Sequence, residues 1–238
     1  EISLSSLNIN TKSFQWTTDV MFYANKESIE SLYNGKVDDI GNKWFIGHPI
    51  NVHYDYEKIG IWQNTSEDLA EMEEFNKNGA NFKSGDIKIW DNGDKKITEA
   101  DRKILGSTSP KFIASMVNSI SYKGFDFSIF LYASVGAMLN NNIEYLNKPG
   151  RANSIVIDYW TPTNPTNAYP RPSVDNASPA YVKSLQYEKA DFIRVRNITL
   201  GYTLPEKLLK KIRARKIRVY LSANNPFVIT GFSGIDPE

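Results

Sequence analysis

The sequence contains no cysteine, only two histidines and no excess of charge of either sign. The absence of cysteine excludes a disulfide scaffold and any thiolate-bound metal. No apolar run approaches the roughly 18 residues that a membrane-spanning helix needs. The 28 Lys and Arg residues are balanced by 27 Asp and Glu residues. A balanced charge supplies no basic field for nucleic acid, so we expect no nucleic-acid partner.

Recognisable catalytic motifs are also missing. The chain has no Gly-x-Ser-x-Gly, no phosphate-binding loop and no dinucleotide fingerprint. The acidic residues between 67 and 74 crowd one predicted surface helix. A glycosidase instead needs two carboxylates on rigid elements across a cleft. We therefore predict that the protein is not an enzyme.

Alternation of apolar and polar residues is the dominant pattern that the sequence does contain. In the longest run, Ile198, Leu200 and Tyr202 alternate with polar or small residues and precede a proline. Five other segments alternate in the same way, so we expect six strands, near residues 1–9, 14–25, 112–122, 125–136, 191–204 and 216–225. Most are about ten residues long, the length that a tilted strand needs to span a bilayer.

The predicted connections between these strands alternate between short and long. Residues 10–13, 123–124 and 205–216 form short connections, whereas 26–110 and 137–190 are long ones. Short turns at one end and long outward loops at the other are typical of outer-membrane barrels. The fold class that we predict is therefore all-β: an antiparallel transmembrane β-barrel segment with long, partly helical extracellular loops.

One face of the predicted sheet is apolar enough to meet lipid. The residues that we expect on this face are Phe14, Trp16, Val20, Phe22, Phe127, Ile129, Leu131, Ile198, Leu200, Ile217, Val219 and Leu221. The alternative is a soluble all-β carbohydrate-binding module, in which the same faces stack as a sandwich. A sandwich prefers short loops, so the two long connections favour the barrel.

The long loops contain two features that are relevant to ligands. Residues 65–68 resemble a capping box and predict a helix that runs through Phe75. Loop aromatic rings can stack on sugars or pack the loops together, and packing is the commoner role for any single ring. The candidate ligand or partner residues are Trp62, Trp160, Tyr169 and Tyr181.

An acidic stretch in the first long loop resembles a degenerate calcium-binding loop. The candidate ligands are Asp91, Asn92, Asp94, Lys96, Thr98 and Asp101. Calcium loops present oxygen atoms at alternating positions around a glycine. Here the loop is one residue short, and Lys95 occupies the position of that glycine. The alternative is a polar turn held by Asp and Asn hydrogen bonds, without an ion.

Several phrases, spread in order over nearly the whole chain, resemble SusC/RagA-type TonB-linked outer-membrane proteins. They include Gly85–Lys88, Asp101–Ser107, Ser121–Asp126, Tyr159–Pro162, Phe192–Pro205 and Gly234–Glu238. The resemblance implies the C-terminal part of a barrel of about 22 strands with an N-terminal plug. We therefore expect an outer membrane location in a Gram-negative bacterium, with extracellular long loops.

The resemblance also implies a function and partners. Such proteins import oligosaccharides or peptides, using energy delivered by TonB, and a SusD-like surface lipoprotein covers the barrel. Six strands cannot close a barrel, so we expect the remaining barrel and plug of the same protein to complete the wall. The segment that contacts TonB is expected in the missing N-terminal part. Outer-membrane lipid is the expected environment of the apolar face.

Overall fold

The computed structural model describes residues 1–141, 156–172, 179–211 and 213–238. Parts of the predicted loop 137–190 therefore lie outside the described residues, as does Ile212 in the predicted connection 205–216. No helix of the described residues is both long and apolar enough to cross a membrane.

The described residues form mainly antiparallel strands. In chain order the strands are β1 (Ile2–Asn10), β2 (Phe14–Tyr23), β3 (Val52–Tyr56), β4 (Lys58–Ile61), β5 (Ile87–Ile89), β6 (Arg102–Ser107), β7 (Phe112–Tyr122), β8 (Phe125–Val135), β9 (Met138–Asn140), β10 (Tyr187–Lys189), β11 (Phe192–Thr203) and β12 (Arg218–Thr230). The two α-helices are α1 (Ser66–Lys77) and α2 (Glu206–Lys211).

Six strands form one open sheet in the order β1-β2-β7-β8-β11-β12, and every neighbouring pair is antiparallel. This confirms the predicted all-β barrel segment. The β7–β8 turn is tight because Lys123 and Gly124 both adopt positive φ, at 47° and 92°, as a two-residue hairpin turn requires. The sheet does not close, so β1 and β12 are its edges.

The last strand is longer than the predicted segment 216–225, since β12 continues to Thr230. The register of β11 against β12 shifts between Val195 and Asn197. Opposite this shift Asn225 has a φ of 48°, so the chain bulges there and then resumes its pairing. A bulge on an edge strand also accommodates Pro226, which cannot donate a ladder hydrogen bond. The prediction stopped at the bulge and missed the rest of the strand.

The two faces of the sheet differ in polarity. The register aligns Val20, Met116, Leu131 and Val195 across four neighbouring strands, which places them on one face. None of the residues predicted to meet lipid is buried, and Leu221 is 78% exposed. Within the described residues no second sheet pairs with or covers this face, as a soluble sandwich would require.

Aromatic pairs lie near both ends of the apolar face. Phe14 contacts Tyr122 at the end that carries the short turns, with ring centroids 6.3 Å apart. Phe22 stacks on Phe112 at the opposite end, at 5.4 Å. Two aromatic girdles around an apolar band are typical of transmembrane barrels. The arrangement agrees with the predicted spanning direction of the strands.

On the opposite face an ion pair connects three strands. Arg218 of β12 binds Asp126 of β8, with 3.0 Å between Nε and Oδ1. Gly201 of the intervening β11 lies under this pair: a Cβ atom at that position would lie 2.5 Å from the Arg218 guanidinium and 2.7 Å from Asp126. The pair can therefore cross β11 only because residue 201 has no side chain.

The long connections fold into a separate unit, which we call the loop body: residues 26–110 and the described part of 137–190. It contains α1 and three two-stranded sheets, β3–β6, β4–β5 and β9–β10. The predicted start of the helix is confirmed, since the Thr65 hydroxyl accepts a hydrogen bond from the backbone N–H of Asp68 at 3.2 Å. The hydroxyl thereby satisfies a backbone donor that has no partner inside the helix.

Two apolar clusters hold the loop body together. One contains Ile61, Ile87, Ile89, Trp160, Val182 and Leu185, and the other contains Trp62, Met72, Phe75 and Phe82. Ile61 and Trp62 are consecutive, and successive residues of an extended chain point in opposite directions. The end of β4 therefore contributes one side chain to each cluster.

Candidate ligand groove and acidic loop

Two of the candidate ligand residues, Trp62 and Trp160, are buried. Their exposed fractions are 1% and 5%. Trp62 contacts Phe75 and Phe82 at centroid distances of 5.8 and 5.7 Å, and Trp160 donates its ring N–H to Gln63 at 2.8 Å. Neither ring has a face open to a sugar. For these two residues the ligand prediction is corrected to packing, because a large ring in a loop is stabilised most by burial.

The other two candidates, Tyr169 and Tyr181, are only partly buried. Burial raises the pKa of both phenols, and this is the largest effect on each. The Tyr181 ring meets Tyr56 edge to face, with centroids 5.1 Å apart. Tyr181 also has a φ of 60°, a left-handed conformation that is uncommon for a tyrosine. This ring lines a groove, and it also packs against both apolar clusters.

The groove has a volume of about 690 Å³ and lies in the loop body. Tyr54 and Tyr56 of β3 line it, together with Tyr181 and Arg102. The guanidinium of Arg102 lies 5.2 Å from the centre of the Tyr56 ring and pairs with Glu99 at 3.1 Å. Aromatic rings beside a cation offer stacking surfaces and hydrogen-bond donors. Such a lining suits a sugar ring or a peptide side chain.

Asp55, which also lines the groove, is held in place by two hydrogen bonds. It accepts one from the Tyr187 hydroxyl at 2.9 Å and one from the Tyr56 backbone N–H at 2.8 Å. Burial, followed by the hydrogen bond and charge of Asp55, raises the pKa of Tyr187 to about 12. The phenol therefore stays protonated at neutral pH and fixes the carboxylate at the groove wall.

Sequence reasoning missed Tyr54, Tyr56 and Arg102. Their only sequence pattern is the alternation His53-Tyr54-Asp55-Tyr56, which is too short to distinguish a groove wall from any other small strand. Tyr56 and Arg102 are 46 positions apart in the sequence, and the pairing of β3 with β6 places them directly opposite each other. Their proximity is a consequence of strand register.

The acidic loop of the sequence folds into a tight turn. Asp91 accepts hydrogen bonds from the backbone N–H groups of Gly93 and Lys95. Asp101 is completely buried and accepts from the N–H groups of Asn92 and Thr98, at 3.0 and 2.6 Å. These bonds are those expected of a polar turn. They fix the backbone of the turn.

Three of the six candidate calcium ligands nevertheless converge. Carboxylate oxygens of Asp91, Asp94 and Asp101 lie within 4.8 Å of one another. Oδ1 of Asp91 is buried and has no hydrogen-bond partner, which is the position that a cation would satisfy. Among the other three, the side chains of Asn92 and Thr98 accept backbone hydrogen bonds, and Lys96 donates its N–H to Asp94.

Lys95 does not obstruct this loop. Its φ of 58° shows that it adopts the left-handed conformation for which a calcium loop normally uses glycine. Its ammonium group binds Glu71 of α1 at 2.9 Å, outside the carboxylate cluster. The hydrogen bond to Glu71 raises the pKa of Lys95, so the side chain stays charged and engaged there. The residues present therefore fit a calcium ion.

Comparison with known proteins relates the chain to outer-membrane receptors. No family model matches it. TonB-dependent receptor P3 of Formosa agariphila is 31% identical over the whole chain, and TonB-dependent receptor P26 of the same organism is 30% identical. TonB-dependent receptor SusC of Bacteroides thetaiotaomicron is 27% identical, also over the whole chain. None of these relatives is named as an enzyme. The chain spans 24%, 25% and 23% of their respective lengths.

Solved structures agree in fold. The RagAB peptide importer in its open-open state superposes with a TM-score of 0.72 at 24% identity, covering 99% of this chain and 25% of that one. A structure of the RagAB peptide transporter gives the same TM-score at 23% identity, covering 26% of its chain. The sheet and loop body are thus arranged as in a quarter of a RagA-type barrel. Over its full length the chain is therefore similar in sequence and in fold to about a quarter of the length of SusC/RagA-type TonB-dependent receptors.

Proposed function

We propose that this chain supplies part of the wall and part of the outward loops of an outer-membrane nutrient importer of the SusC type. The observation that carries the proposal is the similarity over the full chain to TonB-dependent receptors, SusC included. The importer takes up oligosaccharides or peptides by binding and gated passage. TonB drives the passage through another part of the protein, and a SusD-like lipoprotein covers the loops.

The open sheet supports a place in a membrane wall. Its apolar face is exposed, and both edge strands present unpaired backbone groups. Unpaired edges do not persist in lipid, because each unsatisfied N–H or C=O group costs several kcal/mol there. We infer that the remaining strands of the same protein pair with β1 and β12, and that its plug occupies the enclosed space.

The groove of the loop body supports a role in cargo contact. In this proposal the long loops are extracellular, and a sugar ring or a peptide side chain stacks on Tyr56 and Tyr181 while Arg102 donates hydrogen bonds. An aromatic ring can stack on many different ligands, whereas the Arg102 guanidinium requires a hydrogen-bond acceptor on the ligand. Tyr54 and Asp55 complete the wall.

An uptake experiment tests this proposal. Cells carrying the full-length receptor and its lipoprotein would be offered fluorescent oligosaccharides or fluorescent peptides. Replacing Tyr56 by Ala should reduce uptake of one of the two cargo classes about tenfold, because a buried aromatic contact often accounts for 1–3 kcal/mol or more of binding. The matched control is Tyr33→Ala, since Tyr33 is 99% exposed and does not line the groove.

Three results would contradict the proposal or its assignment of the groove. Recovery of the receptor in the aqueous fraction without detergent would favour the soluble carbohydrate-binding module. Uptake of neither cargo class by the unmodified receptor would exclude import of oligosaccharides and peptides. Equal losses in the Tyr56 and Tyr33 variants would assign the uptake to a surface other than the groove.

We also propose that the acidic loop binds Ca²⁺ through Asp91, Asp94 and Asp101. Bound calcium would neutralise three converging carboxylates and stabilise the folded loop. Adding Ca²⁺ at about 100 times its dissociation constant should stabilise the receptor by about 2.7 kcal/mol, measured as a rise in the midpoint of thermal unfolding that EDTA reverses. Asp91→Asn should abolish this rise, whereas Glu73→Gln on the exposed face of α1 should retain it. If adding Ca²⁺ leaves the midpoint of thermal unfolding unchanged, the acidic loop is a polar turn that does not bind the ion.

A further inference from the structure

A second cleft lies where the strands of the large sheet meet the loop body. Its volume is about 640 Å³, within the range of roughly 300–1,000 Å³ that small-molecule sites occupy. The segment after β2, the segments before β7 and β11 and the end of β8 border it, together with β6, β9 and β10 of the loop body. The cleft is separate from the tyrosine-lined groove, with which it shares no residue.

Three lysines from separate chain segments line this cleft. Lys26 follows β2, Lys111 precedes β7, and Lys189 ends β10. None of the three forms an ion pair with an acid within the described residues. Three lysines that line one cleft repel one another, because like charges repel, and the two acids of the cleft offset this only in part. An anion is the ligand that would relieve the repulsion.

The two acids of the cleft are each engaged locally. Glu27 accepts a hydrogen bond from the Ser109 hydroxyl at 2.8 Å. Asp191 accepts one from the backbone N–H of Gly136 at 2.6 Å. With three lysines and two acids, the cleft keeps one formal positive charge. The acids thus hold the chain segments together, and the lysines remain available to a ligand.

Gly136 makes room for one of the lysines. Its φ is 95°, and a Cβ atom there would lie 2.5 Å from Cγ of Lys111. The aliphatic part of Lys111 therefore lies directly against the backbone of residue 136. Packing of the stem restricts the side chain and leaves its charged end free. Lys111 is exposed, and the contact of its stem with residue 136 places it beside the cleft.

The rest of the cleft is largely apolar. Leu105 and Met138 line it, and Gly106 lets the Met138 side chain approach to 3.0 Å from where a Cβ would be. Among the residues that the structure describes, no arginine lines the cleft. Arginine matches a planar carboxylate, whereas lysine acts as a point charge that can approach a tetrahedral oxyanion from several directions. The lining thus favours a phosphate group attached to an apolar portion.

We propose that this cleft binds the phosphate group of a small amphipathic molecule, with Lys26, Lys111 and Lys189 around the phosphate and Leu105 and Met138 against the carbon portion. The same chemistry occurs in the headgroup of a membrane lipid and in a soluble phosphate ester. The site does not depend on the transported cargo, and its failure would leave the proposed import function intact.

The test uses the full-length receptor purified in detergent and three probes. Short-chain phosphatidic acid carries both the phosphate and acyl chains, glycerol 3-phosphate carries only the phosphate, and diacylglycerol of the same chain length carries only the acyl chains. Binding would be measured by isothermal titration calorimetry at 50 and 200 mM salt. We expect phosphatidic acid to bind most tightly, and its affinity to fall at the higher salt concentration.

The variants assign this binding to the cleft. Replacing Lys26, Lys111 and Lys189 together by Gln should weaken phosphate binding at least about tenfold, since each lysine near an anionic group contributes about 1 kcal/mol. A matched triple variant replaces Lys12, Lys36 and Lys207, which lie outside the cleft. It should change phosphate binding less than about twofold, because substitutions distant from a site act independently of it. If the triple variant does not assemble, Lys189→Gln alone should still weaken binding measurably.

Each outcome decides a specific point. Binding of glycerol 3-phosphate that is lost in the cleft variant assigns a soluble phosphate ester. Binding of phosphatidic acid alone, lost in the same variant, assigns a lipid headgroup. Equal losses in the two triple variants, binding of diacylglycerol as tight as that of phosphatidic acid, or no binding of either phosphate probe would overturn the proposal.

Discussion

The six-stranded sheet and the loop body place their apolar side chains in opposite ways. In the loop body the large apolar residues are inside, as the 1% exposure of Trp62 and the 2% exposure of Phe75 illustrate. In the sheet they lie on an outer face, and the polar residues occupy the other face. The two regions therefore suit different surroundings: water around the loop body, and an apolar medium against the sheet.

The two regions are also held together by different interactions. The sheet relies on the backbone ladder between six strands and on side-chain pairs across them, such as Arg218 with Asp126. The loop body has short strands of three to six residues and relies on two packed clusters. A substitution in the loop body should therefore act through packing. A substitution in the sheet should act through contact with the surrounding medium or through strand register.

The largest effect is expected in the loop-body core. Trp62→Ala removes a buried ring between Phe75 and Phe82 and should destabilise the loop body by about 3–5 kcal/mol. Hydrogen exchange of α1 in the detergent-purified receptor would measure this loss. The matched substitution in the sheet, Leu221→Ala, should change stability by less than about 1 kcal/mol, because this side chain is mostly exposed. Equal losses at the two positions would contradict the comparison.

A charge placed on the sheet should reveal which face meets lipid. Leu200→Lys puts an ammonium group on the apolar face and should cost about 2–4 kcal/mol near the bilayer centre. The adjacent Thr199→Lys puts the same group on the polar face and should be nearly neutral. Urea unfolding of the receptor in lipid vesicles would compare the two variants. A larger loss for Thr199→Lys would reverse the assignment of the faces.

The glycine under the cross-strand ion pair should be more sensitive than other glycines. Gly201→Ala pushes a methyl group into Arg218 and Asp126 and should cost about 1–3 kcal/mol, as overpacking does. Gly231→Ala is the control, because nothing lies within 4 Å of its added Cβ. Thermal unfolding in detergent would show the difference. An unchanged midpoint for Gly201→Ala would mean that the ion pair can move aside without loss.

The smallest effect concerns the pH dependence of the loop body. Burial alone would raise the pKa of Glu71, but hydrogen bonds from Lys88 and Lys95 outweigh it and lower this pKa below the ordinary 4.5. The carboxylate therefore stabilises the fold above pH 4.5, and this contribution is lost as the pH falls through the lower folded pKa. We expect less than about 1 kcal/mol, because the group is one third exposed.

Two variants isolate the effect of Glu71. Glu71→Gln should remove this part of the acid dependence of loop-body unfolding as the pH falls below 4.5. Glu73→Gln should keep it, since Glu73 forms only an exposed pair with Lys77. The measurement is the unfolding midpoint of the loop body against pH. An identical pH profile for wild type and Glu71→Gln would show that another group controls the acid transition.

Regular alternation made the large sheet predictable. Ile198, Leu200 and Tyr202 repeat with the period of a strand, and this period alone separates the two faces. The helix start was predictable because Thr65 caps it locally. The end of β12 was not, since the bulge opposite Val195 depends on pairing with β11. The local sequence pattern thus predicts that a strand or helix exists, whereas pairing with neighbouring strands decides where a strand ends.

The candidate sites were less predictable than the fold. In the sequence, Trp62, Trp160 and Tyr181 all look like isolated aromatic residues in polar loops. Burial in two clusters distinguishes the tryptophans from the tyrosine at the groove, and burial depends on residues distant in the chain. The acidic loop was recognised from its composition. Which of its oxygen atoms converge was settled by the turn hydrogen bonds of Asp91 and Asp101.

The sequence alone predicts the strand period, the two faces of the sheet, the short and long connections and the resemblance to SusC/RagA-type receptors. These properties are local or additive along the chain, so they can be read without knowing which segments meet. Only the tertiary structure decided that Arg102 stacks on Tyr56 and that three lysines share one cleft. Such contacts arise from strand register and loop packing, which join residues that are far apart in the sequence.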